Sequence, residues 1–163
     1  GFSNGKSVVN TSLKDWESVL KTNLTGTFLW SRETVIAMRK SVGGSIVMIG
    51  SQLSFAGGRS NAAYLASKGA VVSLARTLAV EHAPDGIRVN VLIPGAIDTP
   101  LLSRSFARSD DPAAAKARSV ARHPIGRLGQ PDEIARAALF LISPTSSFTT
   151  GSCLMADGGW LAG

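Results

Sequence analysis

Residues 51–68, SQLSFAGGRSNAAYLASK, carry both the fold signal and the candidate chemistry of this chain. Tyr64 and Lys68 are four residues apart, so on a helix their side chains lie on one face, a single turn apart. A neighbouring positive charge favours the phenolate form of a tyrosine and lowers its pKa. The spacing therefore predicts that Tyr64 acts as a proton donor or acceptor with Lys68 beside it.

The surroundings of this pair favour a buried site over a chance pairing on a surface helix. Across residues 61–80 the only charged residues are Lys68 and Arg76. Apolar residues spread around the whole helix, which predicts that it is buried on all sides. A buried lysine costs free energy unless it is paired or used. Ser51 follows the apolar run 46–49, which predicts a buried strand whose C-terminal end can bind ligands.

Length and composition are those of an ordinary globular chain. The 163 residues are 44% hydrophobic and 17% charged, which suits a single domain over residues 1–163. The net charge of +6 comes from scattered Lys and Arg residues without an aromatic-rich basic patch, so we expect no nucleic-acid partner. No apolar run reaches the roughly 18 residues of a membrane span, so we expect no membrane association. The single cysteine, Cys153, favours the cytoplasm.

Strands that alternate with helices predict an α/β fold. The expected strands are Ser45–Ile49, Arg88–Ile93 and Cys153–Ala156, and helical patterns cover residues 13–40, 61–82 and 129–142. This alternation is typical of a three-layer, Rossmann-type doubly wound parallel sheet. Three strands are few for such a sheet. We therefore expect the N-terminal strands of the domain to be missing from these 163 residues.

Three further features leave two interpretations each. Asn23 falls on the inward stripe of the first helix, where a buried amide is either a structural plug or a site residue. Pro94-Gly95 ends the second strand and either admits a flat ring to the backbone or forms an ordinary turn. Residues 99–122 are either a lid over the site or an exposed helical insertion.

Other kinds of site have little support in the sequence. Two widely separated histidines and one cysteine give no metal-ligand cluster, so we expect no metal. A hydrolase that uses Ser51 with His82 or His123 is the chemical alternative. The residues around Ser51 do not form the Gly-x-Ser-x-Gly elbow of such enzymes. Cys153 is interpreted as a small buried residue rather than a nucleophile.

These motifs, in this order and spacing, resemble the short-chain dehydrogenases/reductases over nearly the whole chain. The matching segments are Thr22–Gly26, Ser51, Tyr64–Lys68, Arg88–Asn90, Pro94–Gly95, Thr99 and Asp157–Gly159. Residues 126–134, GRLGQPDEI, are similar to the segment before the last helix in 3-oxoacyl-carrier-protein reductases and in sugar dehydrogenases such as glucose dehydrogenase.

The resemblance implies an NAD(P)-dependent oxidoreductase that transfers a hydride between nicotinamide and a small-molecule carbonyl or secondary alcohol. It implies that Tyr64 is the general acid/base and that Ser51 hydrogen-bonds the reacting oxygen. Lys68 would lower the pKa of Tyr64 and bind the nicotinamide ribose. Asn23 would hold a water in the proton relay.

The resemblance also implies a cofactor site after the second strand. Pro94 and Gly95 would border the nicotinamide, the backbone of Ile97 would meet its carboxamide, and Thr99 would reach the carboxamide or the diphosphate. The Gly-rich phosphate turn of the family, and the residue that selects NAD or NADP, are not in this sequence, so either cofactor remains possible. Gly1 would be the last residue of an Asn-Asn-Ala-Gly motif.

The family resemblance further implies a homo-oligomer, a dimer or tetramer. The small residues Gly69, Ala70, Ser73 and Thr77 would permit close helix packing between copies. The alternative to an enzyme is a catalytically inactive fragment that acts only in subunit assembly.

We expect the 163-residue chain alone to bind NADPH weakly, because the phosphate-binding turn is not part of it. A titration of the purified chain, followed by nucleotide fluorescence, should show no saturation in the micromolar range. Micromolar affinity would contradict this expectation.

Overall fold

A three-stranded parallel sheet lies at the centre of the computed structural model, which describes residues 1–163. Its strands are β1 (Gly44–Ile49), β2 (Ile87–Pro94) and β3 (Cys153–Ala156), in the order β1-β2-β3. Parallel neighbours require crossover connections, and helices supply them here. The three predicted strands and the α/β class are confirmed.

Six α-helices surround the sheet. They are α1 (Leu13–Leu20), α2 (Gly26–Met38), α3 (Ala62–His82), α4 (Pro100–Phe106), α5 (Pro112–Ala121) and α6 (Pro131–Ile142). Ser12 begins α1 with a capping box to Asp15, as its sequence predicts. None of these helices has the length and apolar character needed to cross a membrane.

The two faces of the sheet are covered by different helices. Successive residues of a strand point to opposite faces. Val89 and Val91 of β2 are buried in one apolar cluster with Val71 of α3. The guanidinium of Arg88, on the other face, reaches the C-terminal end of α6. The molecule therefore has the three layers that the alternating pattern predicts.

Arg88 fixes the C-terminal end of α6 to β2. Its guanidinium donates to the carbonyl oxygens of Leu141 at 3.0 Å, Ser143 at 3.1 Å and Thr149 at 3.3 Å. It also donates to the Ser146 hydroxyl at 2.9 Å. The last carbonyls of a helix have no partner within the helix, and a cation there also complements the helix dipole. Arg88 thus satisfies acceptors that would otherwise be left partly buried and unpaired.

The first helix is not one regular helix over residues 13–40. A π-helical turn at Lys21–Thr25 separates α1 from α2, and a sequence periodicity near 3.6 does not resolve one inserted residue. The turn contains Asn23, which is 3% exposed. Its position in the turn decides what the Asn23 side chain contacts.

Helix α3 is not buried on all sides, contrary to the prediction from its apolar composition. The buried stripe includes Val71, Val72 and Ala75, whereas Ser73 and Thr77 are exposed and Val80 is 79% exposed. Apolar content alone could not separate a covered face from an open one. The open face carries two of the small residues that the sequence suggests for packing between copies.

Replacing Arg88 by methionine should lower the free energy of unfolding by about 2–3 kcal/mol, because several carbonyl oxygens lose a charged donor. Urea denaturation measures this change. Arg104→Met is the matched control, since Arg104 is exposed on α4, and its effect should stay within about 0.5 kcal/mol. Equal stability of the two variants would show that the hydrogen bonds of Arg88 contribute nothing to the stability of the fold.

Candidate active site

Ser51 lies directly after β1 and is held in place by a short turn. Its backbone is extended, and its hydroxyl accepts from the Leu53 amide at 3.1 Å, which caps a 3-10 turn at Gln52–Ser54. The Ser54 hydroxyl accepts from the Ser51 amide at 3.2 Å and donates to the Lys68 carbonyl at 3.0 Å. The turn therefore connects the end of β1 to α3 at the level of Lys68.

Tyr64 and Lys68 lie one turn apart on α3. The Lys68 Nζ is 5.8 Å from the centroid of the Tyr64 ring. It donates to the carbonyl oxygen of Ile49, the last residue of β1, at 2.7 Å. Lys68 is 8% exposed, so this bond pairs a charge that would otherwise be costly.

One cavity of about 490 Å³ brings most of the predicted site residues together. The predicted residues that line it are Ser51, Tyr64, Lys68, Pro94, Gly95, Ile97 and Thr99. They come from the end of β1, from α3 and from the loop after β2. This convergence at the carboxyl ends of parallel strands is where open α/β sheets bind ligands.

Asn23 is the predicted site residue that does not line the cavity. Its amide group donates to the Phe2 carbonyl at 2.9 Å and to the Ser67 hydroxyl at 3.2 Å, and its oxygen accepts from the Phe2 amide at 3.0 Å. Both amide donors are therefore occupied by protein. This geometry favours the structural plug of the two interpretations. A relay water held by Asn23 stays a prediction.

Burial governs the ionisation of the Tyr64 and Lys68 side chains. Burial raises the pKa of Tyr64 above its ordinary value, and the Ser51 side chain opposes this only in part. Burial also lowers the pKa of Lys68. The expected lowering of the Tyr64 pKa by Lys68 is thus not found in this structure. Burial disfavours the charged phenolate and is the largest cause of the shift.

The loop after β2 is shaped by close backbone approach. A Cβ atom on Gly95 would lie 2.8 Å from the Cα of Asp157, so only glycine lets the loops after β2 and β3 come this near. The Thr99 hydroxyl donates to the Ile97 carbonyl at 3.1 Å and accepts from the Leu102 amide at 3.4 Å. Thr99 therefore begins α4 as its N-cap.

His123 supports the same loop and was not predicted to do so. The ring is 3% exposed. Its Nδ1 lies 2.7 Å from the Ser119 carbonyl, and its Nε2 accepts from the Ala96 amide at 3.1 Å. Because a carbonyl only accepts and an amide N–H only donates, the proton is on Nδ1. His123 thus connects α5 to the loop that borders the cavity, and nothing in the local sequence signals this contact.

Residues 99–122 form α4 and α5 beside the cavity. Leu101, Leu102, Ser105 and Arg108 line it together with Ser119 of α5. Of the two interpretations of this segment, the structure favours the one that places it over the site. The segment contributes apolar side chains and one guanidinium to the lining.

Comparison with known proteins agrees with this fold. The family model described as enoyl-(acyl carrier protein) reductase matches residues 1–161. The chain is 41% identical, over 162 residues, to the inactive 2-(S)-hydroxypropyl-CoM dehydrogenase 2 of Xanthobacter autotrophicus, covering 99% of this chain and 70% of the relative. It is 40% identical, over 159 residues, to the 2,5-dichloro-2,5-cyclohexadiene-1,4-diol dehydrogenase of Sphingobium indicum strain UT26S, covering 97% of this chain and 62% of the relative.

Solved structures show the same architecture. An NAD(P)-dependent gluconate 5-dehydrogenase from Beutenbergia cavernae, with bound NADP at low occupancy, matches with a TM-score of 0.95 at 40% identity, over 100% of this chain and 64% of that one. A gluconate 5-dehydrogenase from Burkholderia cenocepacia, in complex with NADP and tartrate, matches with a TM-score of 0.93 at 32% identity, over 100% of this chain and 62% of that one.

The chain therefore belongs to the short-chain dehydrogenase/reductase family, as its motifs predict. The Rossmann-type fold class is confirmed by the same structures. The chain spans about two thirds of the length of these relatives.

Tyr64 is the only tyrosine of the chain, so the near-ultraviolet absorbance of phenolate reports its ionisation. We expect a midpoint above the ordinary value of about 10, because burial disfavours the charged form. The chain unfolded in urea is the control and should titrate near that value. Since the unfolded chain ionises first, the folded state should lose stability as the pH rises above about 10. A folded midpoint below the unfolded one would contradict this.

Proposed function

We propose that this protein is an NAD(P)-dependent oxidoreductase that interconverts a secondary alcohol and a carbonyl compound. The observation that carries the proposal is the shared cavity, in which Ser51, Tyr64 and Lys68 meet the loop after β2. A hydroxyl, a phenol and an ammonium at one strand end are suited to binding a carbonyl oxygen and transferring a proton to it. The relatives named above are dehydrogenases, which supports the same reaction class.

The residues present fit a nicotinamide cofactor. Pro94, Gly95 and Ile97 line the same cavity as Lys68 at the carboxyl ends of the strands, where open α/β sheets bind such ligands. The cofactor, when bound, supplies or accepts the hydride. Structures of two relatives contain NADP, and either NAD or NADP remains compatible with this part of the chain.

Proton transfer is assigned to Tyr64. Its raised pKa keeps the phenol protonated at neutral pH, so in carbonyl reduction it donates a proton to the substrate oxygen. In alcohol oxidation the phenol first releases its proton to solvent, and the phenolate then accepts the proton of the substrate hydroxyl. The Ser51 hydroxyl hydrogen-bonds the same oxygen, and the Lys68 ammonium stabilises the phenolate when it forms.

We also propose that two or more copies of the protein associate. Helix α2 exposes four large apolar side chains, Phe28, Leu29, Trp30 and Ile36, and Trp30 is 78% exposed. This much exposed apolar surface on one helix is typical of an interface. A dimer or tetramer would cover this apolar surface together with the open face of α3.

The single thiol, Cys153, supports a reducing compartment such as the cytoplasm.

The same apolar surface supports the second candidate function, an inactive assembly module. One relative is named as inactive, so membership of the family does not by itself establish turnover. The two candidates differ in what they require of Tyr64. An enzyme needs its hydroxyl, whereas an assembly module needs only its ring in the fold.

Tyr64→Phe in the longest natural form of this protein separates these candidates. We expect kcat/KM to fall by about 100- to 10,000-fold, because the proton donor is lost while the ring still packs. Sedimentation should show an unchanged oligomer, and circular dichroism an unchanged fold. A variant that retains full turnover would remove Tyr64 from the mechanism, and a parent without turnover would favour the assembly module.

A further inference from the structure

The charges that line the cavity are all positive. Among its lining side chains only Lys68 and Arg108 are charged, and no aspartate or glutamate is present. A concave surface with one sign of charge attracts ligands of the opposite sign. The two cations differ in how many hydrogen-bond donors remain for a ligand, because only one of them is already held by a close hydrogen bond within the protein.

Lys68 is committed to the protein. Its Nζ donates to the Ile49 carbonyl at 2.7 Å and belongs to the proton-transfer group of the proposed function. Arg108 is free by comparison. Its guanidinium forms no ion pair, and the one hydrogen bond of that guanidinium is a 3.5 Å contact from Nη1 to the Ser3 carbonyl. A guanidinium has five N–H donors in a planar fork, so most of them are available.

Arg108 lies in the turn after α4 and packs against the N-terminal segment. The turn after α4 is closed by hydrogen bonds from the amides of Ala107, Arg108 and Ser109 to carbonyls of α4. A Cβ on Gly5 would lie 2.8 Å from the Arg108 Nε, and Gly5 has a φ of +68°. The absence of a side chain at Gly5 therefore lets the Arg108 guanidinium pack against the N-terminal segment.

Apolar side chains also line this cavity. Leu101 and Leu102 of α4 line the cavity. In the sequence they lie between the loop after β2 and Arg108. A cavity with a proton donor, an apolar wall and an unpaired guanidinium suits a ligand with a reacting oxygen, a carbon skeleton and an anionic group. A planar fork matches a carboxylate better than a point charge does.

We propose that Arg108 binds a carboxylate on the substrate, so that the substrates of this protein are hydroxy acids and the corresponding oxo acids. This inference rests on the proposed function, in which Tyr64 exchanges the proton at the reacting oxygen. A phosphate of the cofactor offers the same anionic chemistry, and the two sources differ in which KM depends on Arg108.

The test compares Arg108→Gln with the parent in the longest natural form of the protein. The probes are lactate, 3-hydroxybutyrate and 4-hydroxypentanoate, each paired with its uncharged primary amide and assayed with NAD and NADP. We expect the parent to prefer at least one acid over its amide. Arg108→Gln should raise the KM for that acid about tenfold or more, the effect of losing one good ionic contact, with a much smaller effect on kcat/KM for the amide and on KM for the cofactor.

Two further variants define the controls. Arg104→Gln removes an exposed guanidinium from the same segment that does not line the cavity, and it should leave every constant unchanged. Arg108→Lys keeps the charge but loses the fork, so it should restore part of the preference for the acid.

Each outcome decides the matter. Equal use of acid and amide by the parent, or turnover of none of the three acids, overturns the carboxylate assignment. A raised KM for the cofactor alone assigns Arg108 to a cofactor phosphate and also overturns it. Failure of the proposed function is separate, because Tyr64→Phe would then leave the turnover of the amides and of other alcohols unchanged.

Discussion

The hydrogen bond from the buried Lys68 ammonium to the Ile49 carbonyl holds the site together. An ammonium removed from water needs a partner, and this one lies at the end of β1. The bond therefore fixes the distance between α3 and the strand. The Ser54 hydroxyl, which donates to the Lys68 carbonyl, adds a second connection at the same level. Tyr64 and Ser51 face one cavity because these two connections leave their elements little freedom.

Strand β2 provides the other wall of the site and depends on contacts far from it. Arg88 at its beginning binds the end of α6, and His123 binds the loop at its end through the Ala96 amide. Both side chains satisfy backbone groups that would be costly to leave unpaired. Helices α5 and α6 thereby set where the loop after β2 can lie, and so which residues reach the cavity.

Much of this arrangement was predictable from the sequence, because it follows from local patterns. Apolar runs located β1 and β2 to within one residue at each end, and a spacing of four placed Tyr64 and Lys68 on one helix face. Contacts between distant segments were not predictable. The π-helical turn at Asn23 and the bond from Ala96 to His123 depend on tertiary packing, which leaves no periodic trace. The direction of the Tyr64 pKa shift also required the burial that only the fold supplies.

That shift shows how burial acts on a pair of neighbouring groups. Burial disfavours both the Tyr64 phenolate and the Lys68 ammonium, so each charge is costly when it forms without the other. An opposite charge at short range offsets part of such a cost in general. Covering the site more completely raises the pKa of Tyr64 further. The Ile49 carbonyl stabilises that proton, so the contact that positions α3 also maintains the charge on which a phenolate at Tyr64 depends.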